Sequence, residues 1–415
     1  MKKDLNIKLK IYLTAILMIA VCGCGERASK KDNIGEVIRI NPHEATDYVN
    51  LSEIADSIKC IRLQPDSSDV MGRVVNVIIR KKYIYALDVS QQMVFVFDKT
   101  GKFVTKLSKK GQGPGEYVWL GNIFVDDNEE YIEVLDMGTD TKIKYTNISF
   151  ELVESLRGPT VFSHNNNCRK NGGFYYFEAY LLDNIINDKH IQGGVVIIDD
   201  KNNIKIVFEK KTETNGIYFY PTTESFAQND RNELFISMPY DNTFYRLEAG
   251  EAYPVYTVDF GKYGIANNNV GKLSTRDQLE YMRNMKGLAC FPVLNINNSD
   301  IMSFSYFFKQ KEVERKKNHI FSYEKDIRQY IKIKDKVYHT NRIKNDLTSF
   351  PDRLHICSYL YGVCSHEVWY EDYLVDVIMT HNYFADSEVD KIYVEGLGEV
   401  TSDEEIIVVL MKLKK

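Results

Sequence analysis

The sequence predicts an all-β fold, a six-bladed β-propeller of four-stranded antiparallel blades with small helical insertions. Three observations predict it. YIYALD at 83–88 returns as YIEVLD at 131–136, an offset of 48 residues, and self-similarity at roughly 40–50 residues built from short strands is the mark of propeller blades. Apolar residues alternate at period two through much of the chain, the pattern of half-buried strands. The chain also holds 28 Tyr and 21 Phe, residue types that fill the pleated faces of sheets.

The blades follow in order. The first reads as strands at 74–80, 83–88, 93–98 and 103–107, with Lys99-Thr100-Gly101 as a hairpin turn. The second repeats it at 122–126, 131–136, 142–146 and 150–156. Looser units follow at 174–181, 195–200 and 204–209, then at 233–238, 243–248 and 254–260. A fifth is expected from 301–308 and 319–324, and a sixth from 366–372 and 406–413, with insertions near 262–300 and 373–403. Ser274 and Thr275 stand before a charged stretch with Leu279, Met282 and Met285 at helical spacing, which predicts a surface helix over 274–286. The mixed-charge run at 311–318 reads as a solvated hairpin turn. A ring of blades must not leave open edges. Strands at 37–40 and 58–63 precede the first blade, so an N-terminal strand is expected to close the last blade and make 35–415 one domain.

The first residues read as a targeting segment: four lysines, then an apolar run from Ile11 to Val21 broken by Thr14. That run is short of the about 20 apolar residues that span a bilayer. Val21-Cys22-Gly23-Cys24 resembles the bacterial lipobox, with Cys24 as the lipidated residue because the small Gly23 precedes it. The expected layout is a signal peptide at 1–23, a polar tether at 24–34 and the propeller beyond it. The alternative is an ordinary signal peptide cut near Gly25. By resemblance to sorting signals, Gly25 without an acidic pair points to an outer-membrane lipoprotein of the cell envelope, on either face.

Composition excludes some partners. The formal charge is −5, and removal of residues 1–23 leaves about −8. An acidic chain with no cluster of Lys and Arg among aromatics is not built for nucleic acid. After Cys24, five cysteines remain (Cys60, Cys168, Cys290, Cys357 and Cys364), an odd count at irregular spacing that makes no disulfide framework.

Gly101-Lys102-Phe103, GQGPGEY at 111–117, Ile123 to Asp126 and VLD at 134–136 resemble NHL-type repeats. With LSEIADSIKCIRL at 51–63, Asn345-Asp346 and the Lys-Leu-Lys ending, the chain resembles the six-bladed β-propeller lipoproteins of Bacteroidetes. The resemblance implies a fold and an envelope location, and no particular activity.

GQGPGEY is not a phosphate loop, since Glu116 stands where the third glycine would be. It reads as an inter-blade turn whose glycines take positive φ. It also joins an outer strand to the next inner one, which makes Glu116 and Tyr117 candidates for ligand contact. The resemblance adds Asn345 and Asp346. His355, Cys357, Cys364 and His366 form a near-symmetric set, open to three readings: a zinc site, a Cys357 to Cys364 disulfide, or unlinked side chains. DDNEE at 126–130 lacks calcium-loop spacing and reads as a charged hairpin tip. Neither H-E-x-x-H nor G-x-S-x-G occurs, so no catalytic set is nominated and no cofactor is expected. The function expected is binding of a glycan, peptide or protein partner at the channel mouth. The alternative is a hydrolase or lyase acting on carbohydrate or peptide, with residues gathered from several inner strands.

Overall fold

Period-two strands have one face for each neighbour, and stacking them radially buries both faces without a central core. The computed structural model describes residues 35–66, 68–158, 168–179, 184–186, 189–191, 194–208, 225–238, 241–265, 274, 277, 286–308, 327–350, 365–366, 369–384, 390–403 and 405–414. They form a six-bladed β-propeller of antiparallel four-stranded blades. Blade one is Val74–Ile79, Tyr83–Asp88, Met93–Asp98 and Phe103–Leu107, and blade two is Leu120–Val125, Tyr131–Asp136, Thr141–Thr146 and Leu152–Arg157. Blade three is Cys168–Asn171, Phe174–Glu178, Val195–Asp199 and Ile204–Val207. Blade four is Phe226–Gln228, Leu234–Ser237, Thr243–Glu248 and Glu251–Asp259. Blade five is Ala289–Asn297, Ile301–Phe308, Ile327–Ile333 and Lys336–Thr340. Blade six is Trp369–Tyr370, Tyr373–Met379, Ile406–Leu413 and, as its outer strand, Ala55–Leu63. The core is accordingly divided among the joints. Tyr85, Val96, Tyr117, Val134 and Tyr145 pack between blades one and two; Ile331, Leu374 and Ile407 pack between five and six.

The repeated hexapeptide ends in an aspartate because that carboxylate organises the chain around it. Asp88 accepts from the Gly72 N–H at 2.6 Å, from Ser90 N–H at 2.9 Å and from Gln91 N–H at 3.1 Å. Asp136 does the same in blade two with Val118, Trp119 and Gly138 N–H groups and the Thr139 hydroxyl. Each ties the approach to an inner strand to the turn after the second strand. Both are buried, and a buried acceptor must be satisfied.

The ring closes twice. On the outside, Ala55–Leu63 pairs antiparallel with Ile406–Leu413, as expected from the sequence. On the inside, Ser365–His366 pairs parallel with the inner strand of blade one, Ser365 opposite Asn76. Before reaching blade six, the N-terminal segment crosses two others. Glu36–Arg39 adds a parallel strand to the outer edge of blade four, Thr46 bridges to Thr340, and Val49–Asn50 pairs parallel with Ile343–Lys344 behind blade five. Gly35, at φ +72°, starts this strap with its α-carbon so close to Val255 that a Cβ would clash with backbone.

Two expected insertions contain blade strands instead. The 262–300 region holds Ala289–Asn297, the inner strand of blade five, and 373–403 holds Tyr373–Met379, the second strand of blade six. Eight of the nine residues of Ala289–Asn297 are buried. A strand buried on both faces loses the alternation that marks a half-buried one. What remains of the second insertion is the helix Thr380–Phe384 and a hairpin of Lys391–Val394 and Gly398–Thr401. The predicted blade-six strand at 366–372 is split, since His366 pairs with blade one as part of Ser365–His366 and only Trp369–Tyr370 starts blade six. In the predicted surface helix, Asp277 N–H donates to the Ser274 hydroxyl at 3.2 Å. The rest of that helix lies outside the described residues. So do the 311–318 turn, the 319–324 strand, the signal segment and Cys24.

Under the strap, His339 lies 2.6 Å from the Tyr306 hydroxyl, and its carbonyl accepts from Thr46 N–H at 2.9 Å. Burial and then the Arg328 charge push its pKa down to about 4, against a weaker opposing pull from Glu44. The unfolded imidazole titrates near 6.5, so between these values the unfolded chain binds the extra proton. The contribution to stability is complete above about pH 6.5 and is lost as pH falls through about 4, at most roughly 3 kcal/mol. Urea midpoints at pH 7 and 5 should differ less for His339→Gln than for the parent. An unchanged difference would show that other groups set the acid response.

Candidate ligand site at the channel mouth

The ends of the inner strands of blades one to four, with Trp369 of blade six, surround one cavity of about 380 Å³, within the range of about 300–1,000 Å³ usual for small-ligand sites. It opens where inner strands turn into second strands, through Arg80, Asp126, Asp127, Gly172, Gly173 and Asn232.

Its floor is built by a repeated irregularity. In blade one, register slips between Val74 and Asn76; in blade two, it slips between Leu120 and Asn122. A bulge re-aims the side chain that follows it. Here the two asparagines meet: Asn76 Nδ2 donates to Asn122 Oδ1 at 3.0 Å, and Asn122 Nδ2 donates to the Cys168 carbonyl of blade three at 3.4 Å. Both are buried, and each amide hands on the hydrogen bond that burial demands.

Above the floor, Arg80 spans two blades, donating from Nε and Nη2 to the Val125 carbonyl at 3.2 and 3.0 Å. The DDNEE tip is not simply solvated. Asp126 accepts from Tyr131 N–H at 2.6 Å. Glu129, at φ 57°, turns back into blade one and accepts from Lys82 and Tyr83 N–H at 2.8 and 3.0 Å. The wall between blades two and three is charged. Glu133 meets Lys170 Nζ at 2.7 Å and the Tyr175 hydroxyl at 2.5 Å. Burial works to raise its pKa, but those two hydrogen bonds and the Lys170 charge outweigh it and hold the carboxyl below its ordinary value. Lys142 lies 4.4 Å above the Tyr175 ring, its pKa lowered chiefly by burial. Lys144 lies 4.1 Å above the Tyr131 ring. Phe124, Asn171, Gln228 and Asn229 complete the lining. The Trp369 indole N–H, buried at the cavity wall, has no hydrogen-bond partner among the described residues.

The residues singled out from the sequence lie elsewhere. The GQGPGEY turn reaches the outer half of blade two, where the Tyr145 hydroxyl donates to the Gly115 carbonyl at 2.9 Å and Leu152 packs on Gly115. Glu116 accepts from Gly113 N–H at 2.7 Å, and a Cβ at Gly111 or Gly113 would meet its carboxylate. Tyr117 is buried, donates to the Gln92 carbonyl at 2.7 Å and has its pKa pushed up by burial to about 12. Asn345 bonds its own loop through Thr348 and the Phe350 carbonyl. Asp346 accepts from the N–H and hydroxyl of Ser52 at 2.9 and 2.5 Å, holding the strap. None of these four lines the cavity. His355, Cys357 and Cys364 lie outside the described residues, and of His366 only the backbone is placed. Among the described residues no group of three or more His, Cys, Asp or Glu is placed to hold a metal ion.

The cavity residues carry no motif in the sequence because they are spread over strands and turns of five blades. One signal was available: within the repeat, Tyr85 of blade one becomes Glu133 of blade two, a change from structural phenol to cavity carboxylate.

Residues 36–412 match the family model described as a domain of unknown function, DUF4934. The chain belongs to the DUF4934 family. Among proteins with curated descriptions, none matches. Two solved structures resemble this DUF4934 propeller in fold. A Bacteroides fragilis protein described as exported is 17% identical, with 91% of this chain and 100% of that one covered at a TM-score of 0.60. A DUF4221 family member from Bacteroides vulgatus is 11% identical, with 87% and 98% covered at 0.50. A virginiamycin B lyase from Staphylococcus aureus is 8% identical over 85% and 99% at 0.40, too distant to carry an argument about activity.

Proposed function

We propose that this DUF4934 propeller is an exported protein, held at the outer membrane through a lipid on Cys24, that binds a glycan in its channel mouth. The observation that carries the binding reading is the lining itself. Phe124, Tyr131 and Trp369 place aromatic rings beside Asn76, Asn171 and Gln228. A sugar presents apolar C–H faces and a rim of hydroxyls, which suit aromatic surfaces and amides in turn. The Trp369 N–H, without a hydrogen-bond partner among the described residues, is a donor that a hydroxyl oxygen satisfies. Export is favoured by the basic and apolar N-terminal segment and by the fold shared with an exported Bacteroides protein.

Hydrolase or lyase chemistry is the weaker reading. It needs an acid or base poised near neutral pH, whereas Glu133 is held ionised and Asp126 is spent on backbone N–H groups. A combined glycan and peptide array probed with the detergent-solubilised full chain tests the proposal. Binding to glycans is expected, weakened about fivefold by Trp369→Phe, the worth of one hydrogen bond of about 1 kcal/mol. Binding to peptides alone, or shortening of the bound sugars, overturns it.

A further inference from the structure

In a chain of net charge −5, one wall of the cavity carries an excess of positive charge. Between blades two and three it is lined by Lys144, Arg169 and Lys170 against the one carboxylate of Glu133, while Lys142 and Asp200 act on one another outside the lining. The Glu133 charge is already taken by Lys170 and the Tyr175 hydroxyl. Lys144 stands directly across the strand pair from Glu133, but its ammonium rests on the Tyr131 ring face. Stacking of this kind fixes a flexible lysine without neutralising it. On the neighbouring turn, Asp126 is bound by backbone N–H groups. Asp127, with its side chain 76% exposed, lies on the rim 4.0 Å from Arg80.

Glu133 and Glu154 stand opposite Lys144 on its two neighbouring strands, yet no salt bridge within 4.0 Å holds its ammonium among the described residues. An ammonium fixed in this way in a partly enclosed cavity favours an anion, because low-dielectric walls strengthen its field. Resting on the glycan-binding reading, we infer that the sugar taken by this cavity is acidic, its carboxylate or sulfate group meeting Lys144. The neutral part of the ligand uses the rings and amides, and the acidic group decides which glycan is chosen.

The test is an array carrying galactan and galacturonan oligomers, xylan and glucuronoxylan oligomers, and keratan oligomers with and without sulfate, probed with the full chain. Acidic members are expected to bind at least tenfold better than their neutral counterparts at 20 mM salt, with the gap narrowing at 200 mM as screening sets in. Preference for galacturonan over sulfated keratan assigns the carboxylate, and the reverse assigns the sulfate. Lys144→Gln should abolish the acidic preference, while Lys144→Arg retains it. Equal binding of neutral and acidic oligomers, or a preference that survives Lys144→Gln, overturns the inference and leaves the glycan reading standing. No binding to any member overturns both.

Discussion

Removal of residues 1–63 should leave a chain that does not fold, whereas removal of residues 1–45 should leave a folded ring of lower stability. The strand Ala55–Leu63 buries Ala55, Ile61 and Leu63, and complete burial of an Ile or Leu side chain contributes about 1.5–3 kcal/mol. Its loss also strips the edge of Ile406–Leu413, seven of whose eight residues are buried, and leaves an apolar strand open to association. A domain of this kind is stable by only about 5–15 kcal/mol, so losing the strand with the packing behind it removes most of that margin. The shorter deletion takes away Ile38 and Ile40 from the joint between blades four and five, a loss on the order of 4 kcal/mol. Circular dichroism and urea melts separate the two outcomes. A cooperative melt from the longer deletion would mean that Ser365–His366 alone closes the ring.

Asp136→Ala should destabilise the domain by about 3–5 kcal/mol, and Asp88→Ala by a similar amount, read as a shift of the urea midpoint at constant slope. Alanine at 136 takes the shared acceptor from three N–H groups and the Thr139 hydroxyl, all in partly buried hydrogen bonds, and a hydrogen bond to a charged group contributes about 1.5–3 kcal/mol. Asp136→Asn should cost less, since one oxygen still accepts. A loss below about 1 kcal/mol for the alanine variant would falsify the view that these aspartates set the blade geometry.

The two aspartates were legible because they recur in the repeat; their role was not, because their partners lie up to 18 residues away in the inner-strand approach. The outer closure by 58–63 was legible as well, since a ring needs its edge strands paired. The inner closure was not. Ser365–His366 carries no pattern that chooses blade one over blade six, and the choice is made by which inner edge the ring leaves nearby. Asn76 and Asn122 are 46 residues apart, not 48, and the two-residue difference hides their equivalence until the bulges are seen. Glu116 and Tyr117 stood out for their glycine-rich setting, and the fold accounts for that setting locally: the Glu116 carboxylate fills the space that side chains at 111 and 113 would need.

The sequence by itself determined the architecture: most of the strands, the number of blades and the outer seam. Those features follow from alternation, turn residues and a repeat, all of which act over short stretches of chain. Only the tertiary structure decided where a ligand meets the protein. The cavity takes Arg80, Glu133, Lys170, Asn229 and Trp369 from five different blades. Their convergence comes from the curvature of the ring and from two bulges that turn asparagines inward, and neither leaves a periodic trace in the chain.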